Sequence, residues 1–147
     1  MSDKLIKFEI VTPERVVFRT EVKQVTVPTK SGEITVLPYH IPLVSALVPG
    51  VIEIVTATGE REIISVSGGF LEVLKDKVVI LADTAERAEE IDIKRAEEAR
   101  ARAEKTKTEA RHADDVSFTD SAAQLAKELA RIKAVRRHKA RKNIPQE

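Results

Sequence analysis

Ala85-Glu86-Arg87-Ala88-Glu89-Glu90-Ile91-Asp92-Ile93-Lys94-Arg95-Ala96 separates two halves of unlike pattern. All five glycines lie before it, and of the six prolines only Pro145 lies after it. Beyond it Ala, Glu, Lys and Arg take over, which are strong helix formers. The predicted architecture is therefore an all-β N-terminal sandwich or flattened barrel over residues 1–87, followed by an α-helical hairpin over residues 88–147.

Upstream, Ile6, Phe8 and Ile10 alternate with Lys7 and Glu9, the period of a half-buried strand. Val16-Val17-Phe18 and Val25-Thr26-Val27 predict two short strands, with Pro28 stopping the second. Strand-like runs at Ile34–Leu37, Leu43–Val48, Val51–Thr56, Arg61–Ser67, Phe70–Leu74 and Val78–Ala82 are divided by turn residues such as Pro49-Gly50 and Thr58-Gly59. Gly68-Gly69 predicts a bulge or a close backbone contact. No run has the length and period of a crossover helix, so the expected sheet is antiparallel. The core must rest on Val, Ile and Leu, because aromatics are few and Trp is absent.

Downstream, Asp92 is placed to cap a helix reaching about Ala113. Its expected stripe is Ala96, Ala99, Ala103, Ala110 and Ala113, with Thr106 in the gap. Residues 114–121 are expected to interrupt it, with Asp120 or Ser121 capping a second helix from Ala122 to about Arg141. The stripe expected there is Ala122, Leu125, Leu129 and Ile132, edged by Ala126 and Val135. Such narrow faces bury little area. A few large side chains at about 1.5–3 kcal/mol each would hold the hairpin closed, a grip that a ligand of modest affinity could release.

Composition excludes several functions. With no cysteine among 147 residues there are no disulfides and no thiolate metal sites. His40, His112 and His138 have no metal-ligand spacing, and no nucleophile–base cluster or phosphate-cradling glycine loop is evident. No apolar run is long enough to span a bilayer, and Met1-Ser2-Asp3-Lys4-Leu5 has neither signal-peptide nor transit-peptide character. Net charge is unevenly spread: −4 over residues 1–90, −1 over 91–126 and +6 over 127–147. The basic run Arg131, Lys133, Arg136, Arg137, His138, Lys139, Arg141 and Lys142 is either a solvated helix face or a surface for an acidic partner. Nucleic acid is the weaker alternative, because no aromatics interleave with the charges. An unrelated sandwich adaptor that binds an acidic partner through this helix remains open. Asp92 and Arg95 likewise read either as a cap with an i,i+3 ion pair or as part of a nucleotide site.

Gly32-Glu33-Ile34, Leu37-Pro38-Tyr39-His40-Ile41-Pro42-Leu43, Ser67-Gly68-Gly69-Phe70-Leu71-Glu72-Val73 and Ile80-Leu81-Ala82-Asp83 occur in the order and spacing of one family. With the helical region behind them, they make the chain resemble the epsilon chain of bacterial F-type ATP synthases from about Ile6 to Val135. The resemblance implies a non-catalytic central-stalk subunit of a proton-translocating complex. Its sandwich would dock on the gamma chain and the c-ring, and its helices would fold on the sandwich or extend into the alpha/beta head and inhibit hydrolysis. It implies contact roles for Glu33, His40, Arg136 and Arg137. Ile91-Asp92-Ile93-Lys94-Arg95-Ala96 resembles the family's I/L-D-x-x-R-A motif, which implies a regulatory ATP site built from Glu86, Ile91, Asp92, Arg95, Ala96, Lys127 and Arg131, with Lys127 where strong binders carry Arg. No other cofactor and no nucleic acid is implied. The implied location is the cytoplasmic face of the cell membrane, held there through the complex alone.

Overall fold

The computed structural model describes residues 4–110 and 115–143. Nine strands form the first part: β1 (Ile6–Val11), β2 (Val16–Thr29), β3 (Gly32–Val36), β4 (Leu43–Leu47), β5 (Gly50–Thr56), β6 (Arg61–Val66), β7 (Gly69–Val73), β8 (Lys77–Ala82) and β9 (Ala85–Arg87). A 3-10 turn at Ala88–Glu90 leads to α1 (Ile93–Ala110) and then α2 (Asp115–Lys142). The sheet order is β1-β8-β7-β4-β2-β5-β6-β9, with β3 on β2 and a further β1–β2 pairing. That extra pairing closes the ring β1-β8-β7-β4-β2 into a flattened barrel, which removes open edges from those strands.

β2 makes the closure, and it departs from expectation. Val16–Phe18 and Val25–Val27 belong to one 14-residue strand that runs through Pro28. Its first half pairs with β1 and its second with β3. The register slips at Val17 against β1 and at Lys23 against β5, two bulges that bend the strand from one layer to the other. Pro28 is tolerated because pairing with β5 ends at Thr26, so the ladder asks for no N–H there. One pairing is parallel, β1 with β8, where Phe8 lies opposite Val78 and Ile10 opposite Ile80. The antiparallel expectation missed it because a parallel pair needs only a long return path. Six intervening strands provide that path here.

The barrel interior holds Phe8, Ile10, Val22, Val25, Val27, Ile52, Ile54, Ile64, Leu71 and Ile80, all essentially inaccessible. Gly69 shows why its position is glycine. Its φ is 123°, and a Cβ there would lie 2.0 Å from the Leu81 carbonyl oxygen, so the doublet is the close backbone contact expected.

β5 and β6 break the alternation of the other strands. From Gly50 to Ile54 every residue is buried, as is every residue from Ile63 to Val66. Ile52, Ile54, Ile64 and Val66 face the barrel core. Val51 and Ile63 face outward into a second apolar cluster with Ala88, Ile91, Ala96, Ile132, Ala134 and Val135. The helices thus cover the outside of β5–β6, with α2 against the sheet and α1 against α2.

Three expectations for the helices need correction. α2 starts at Asp115, not Ala122, and Asp120 and Ser121 lie inside it rather than capping it. Asp, Ser and Thr cost under about 1 kcal/mol each in a helix, too little to break one that packs along its length. The Lys107 ammonium 5.5 Å from the Phe118 ring centre ties this early turn to α1. The buried face of α2 is also not the single leucine stripe expected. Leu129 is 43% exposed, Ala122 and Leu125 are half-buried, and Ser121, Glu128, Ala130, Ile132, Ala134 and Val135 are buried. A helix packed on both α1 and a sheet buries a wider arc than one stripe. In α1, Ala96 and Ala103 are buried, whereas Thr106 is exposed and its hydroxyl donates back to the Arg102 carbonyl at 2.9 Å. Ala113 lies outside the described residues, as do His112 and Asp114.

Candidate functional site: the contact between helix and sheet

Three arginines of α2 reach three carboxylates on the strands. Arg131 Nε donates to Glu86 of β9 at 2.7 Å, Arg141 reaches Glu53 of β5 at 3.2 Å, and Arg137 stands 3.9 Å from Glu33 of β3. Arg137 and Arg141 belong to the last three turns of α2, which the basic run had marked. Beneath them Ile132 and Val135 rest on Val51 and Ile63, each at most 6% exposed. Fully buried side chains of this size contribute about 1.5–3 kcal/mol each, so apolar contact carries most of the hold.

The charges are further paired within their own elements. Glu53 also accepts from Arg61 of β6, and Arg131 also donates to Glu128 of α2 at 2.9 Å. Glu128, 3% exposed, takes a second bond of 2.7 Å from Gln124. Burial alone works against the charge on Arg131. The hydrogen bonds and attraction of Glu128 and Glu86 outweigh it and hold the guanidinium above the ordinary arginine value. On β9, Arg87 forks onto both Glu62 oxygens at 3.1 Å and lies over the Phe18 ring, joining the start of the helical region to the barrel.

The residues implied for ATP divide into groups. Glu86 and Arg131 meet directly. Asp92 caps α1, accepting the Arg95 backbone N–H at 3.2 Å, and its side chain lies 3.7 Å from the exposed Arg95 guanidinium. Lys127, one turn before Arg131, is half-buried. Ile91 and Ala96 do not line an open site; both are buried in the apolar cluster beneath α2. An open cleft of about 430 Å³ borders the C-terminal end of α2, lined by residues including Arg61, Glu89, His138 and Arg141, and none of the seven residues lines it. Among the described residues no group of His, Asp and Glu could hold a metal ion.

Of the implied contact residues, Glu33 lies in β3 rather than in a loop. It pairs with Pro28 of β2, one step from the turn that joins β2 to β3. His40 is in the exposed loop before β4, where its Nδ1 lies 2.7 Å from the Ile41 carbonyl oxygen. Arg136 is exposed. Around His40, Leu37, Tyr39 and Ile41 are exposed, and Val44, Phe70 and Leu81 stand on one outer face of β4, β7 and β8. Together they leave six large apolar side chains exposed on this loop and face.

Sequence reasoning missed Glu53, Arg61 and Glu128, and with them the outer apolar pair Val51 and Ile63. The signal was present: Val51-Ile52-Glu53-Ile54-Val55 is apolar on both faces save for one acid. A strand of that kind is covered on both sides, and its lone carboxylate needs a cation.

Two consecutive family descriptions match the chain. "ATP synthase, Delta/Epsilon chain, beta-sandwich domain" covers residues 5–88, and "ATP synthase, Delta/Epsilon chain, long alpha-helix domain" covers residues 89–136. The chain is 47% identical over 137 residues to an ATP synthase epsilon chain of Chloroflexus aggregans, covering 93% of this chain and 96% of that relative. It is 43% identical over 134 residues to one from Dehalococcoides mccartyi, covering 91% and 94%. Among solved structures, a chain of the Euglena gracilis mitochondrial ATP synthase shares the fold with a TM-score of 0.75 at 24% identity, over 86% of this chain and 79% of that one. A chain of the Tetrahymena thermophila mitochondrial ATP synthase central stalk and c-ring shares it at a TM-score of 0.56 and 12% identity, over 92% and 99%. With both of its parts matched in order and its helices seated on its strands, the chain belongs to the ATP synthase delta/epsilon chain family.

Proposed function

We propose that this chain is a non-catalytic rotor subunit of an F-type ATP synthase, with residues 1–87 as a docking unit and residues 88–147 as a regulatory one. The docking unit meets the gamma chain and the c-ring through the exposed loop around His40 and the apolar outer face at Val44, Phe70 and Leu81. Membrane attachment on the cytoplasmic side follows from the c-ring; among the described residues no helix is long and apolar enough to cross a bilayer.

The regulatory unit alternates between the closed form described above and one extended toward the alpha/beta head, where it restrains ATP hydrolysis. The observation that carries this reading is the nature of the contact. α2 is held by a small apolar patch and three ion pairs at its edge, not by strands or chain crossings, so it can lift without unfolding the barrel. The barrel keeps its own core when α2 leaves, because the interior cluster is built from strand residues alone.

ATP acts in this reading as the ligand of the closed form. Arg131 has the guanidinium suited to phosphate but is already held by Glu86 and Glu128, and Arg95, exposed and paired with Asp92 at 3.7 Å, can stack or pair. Binding at Arg131 has to displace Glu86 in part, so the affinity is modest.

The test is deletion of everything from Asp92 onward in the assembled enzyme. The expected result is intact assembly with faster ATP hydrolysis. Unchanged hydrolysis removes the inhibitory role, and lost assembly removes the division of labour.

A further inference from the structure

The three ion pairs under α2 share a feature. Glu53 is claimed by Arg141 from the helix and by Arg61 from the adjacent strand β6. Arg131 is claimed by Glu86 from the sheet and by Glu128 three residues earlier on its own helix. Glu33, the third carboxylate, has half its side chain in water. Every charge that α2 surrenders on leaving therefore keeps either a counter-charge on its own side of the contact or a hydrated surface.

We infer that Arg61 and Glu128 are resident counter-ions that make this contact reversible. This rests on the reading above that α2 leaves the sheet. A carboxylate in the position of Glu53, with its side chain 9% exposed, is costly unless paired. Arg61 pairs it whether or not Arg141 is present, so neither arrival nor partial departure of the helix end strands a buried charge. Glu128, 3% exposed on α2, keeps both Arg131 and Gln124 as the helix moves. The ion pairs then fix register, Arg131 to β9 and Arg141 to β5. The balance between closed and open forms is left to Ile132 and Val135 on Val51 and Ile63. An interface made of unshared buried pairs would behave in the opposite way: each single substitution would open it.

The chain has no cysteine, so two introduced ones carry dyes uniquely. With Lys30→Cys and Lys139→Cys, both exposed, energy transfer in the full chain reports the closed fraction. Arg141→Ala or Arg61→Ala alone is expected to change the open-to-closed ratio by no more than about threefold, the range of a solvated or redundant pair. The double variant, which strips Glu53 of both cations, is expected to open the hairpin by more than about tenfold beyond the product of the singles. Adding Glu53→Gln to it should restore closure. Additive singles, or a large opening from Arg141→Ala alone, overturn the inference. Ile132→Asp serves as the separate control for the reading beneath it. If that variant stays as closed as the parent while remaining folded by circular dichroism, α2 does not leave the sheet and the functional reading itself fails.

Discussion

Glu86 and Arg131 are 45 residues apart and share two hydrogen bonds, of 2.7 and 3.4 Å. Glu86 sits on the last strand of the barrel and Arg131 in the second half of α2, so this contact spans the junction at which the chain changes structural class. It places α2 lengthwise, while the apolar cluster beneath it provides the hold.

Weakening that hold has a signed consequence. Ile132→Ala removes a side chain 2% exposed from the contact, a change that costs about 2–5 kcal/mol at buried sites. Because the barrel core is separate, the loss should fall on the closed form rather than on the barrel. In the assembled enzyme the expected outcome is more of the extended form and slower ATP hydrolysis, with the urea midpoint of the strand region unmoved. Hydrolysis assays and urea unfolding of the strand region followed by circular dichroism check the two halves of this statement.

Gly69→Ala should be among the most damaging single changes. The new methyl meets the Leu81 carbonyl at 2.0 Å, and the φ of 123° is one that alanine rarely adopts. The two effects together predict a loss of about 3 kcal/mol or more, read as a lower urea midpoint. Gly59→Ala is the comparison: its φ is 89° with nothing within 4 Å, and the expected loss is about 1 kcal/mol.

Glu9 gives the pH prediction. Hydrogen bonds from Arg19 at 2.6 Å and Lys77, 3.2 Å away, hold its carboxyl below the ordinary value of 4.5. A group depressed in the folded state stabilises it above its unfolded value. That contribution is lost as pH falls from 4.5 through the lower folded value. Glu9→Gln should therefore lower the melting temperature at neutral pH by a small amount, and the gap to the parent should close in acid. A gap that is constant with pH would show that the charge is not the cause.

ATP titrated into the isolated chain by calorimetry should release heat at millimolar concentration or below. Arg131→Ala and Arg95→Ala should each weaken it. Equal heats from the parent and Arg95→Ala would take that residue out of the site.

Much of the fold was legible because its causes are local. The alternation of Ile6, Phe8 and Ile10, the turn at Thr58-Gly59 and the change of composition after Ala85 act over a few residues and appear as expected, while of Pro49-Gly50 only Pro49 lies between strands, Gly50 opening β5. Asp92 was legible as a cap for the same reason, since its bond to the Arg95 N–H closes within one helical turn. The errors lie where a distant element overrides a local signal. Pro28 reads as a stop, yet pairing between β2 and β5 ends at Thr26 and frees its position from the ladder. Asp120 and Ser121 read as a cap, yet packing on α1 carries α2 through them. Leu129 reads as core, yet the sheet draws Ala130, Ile132 and Ala134 inward and turns Leu129 to water.

By itself the amino-acid order determined that strands precede helices, that the core is aliphatic, that no thiol chemistry exists, and that the last helix is basic. Those properties follow from side-chain volume, backbone preference and charge count, which each residue carries with it. Only the tertiary structure decided which strand lies beside which, that β1 and β8 run parallel, and that Glu53 and Glu86 sit under α2 to receive its arginines. Such pairings join residues 45 and 88 positions apart, and the sequence holds no local period that encodes them. They arise because the outer face of β5–β6 has apolar area to bury and α2 brings a matching apolar face to it.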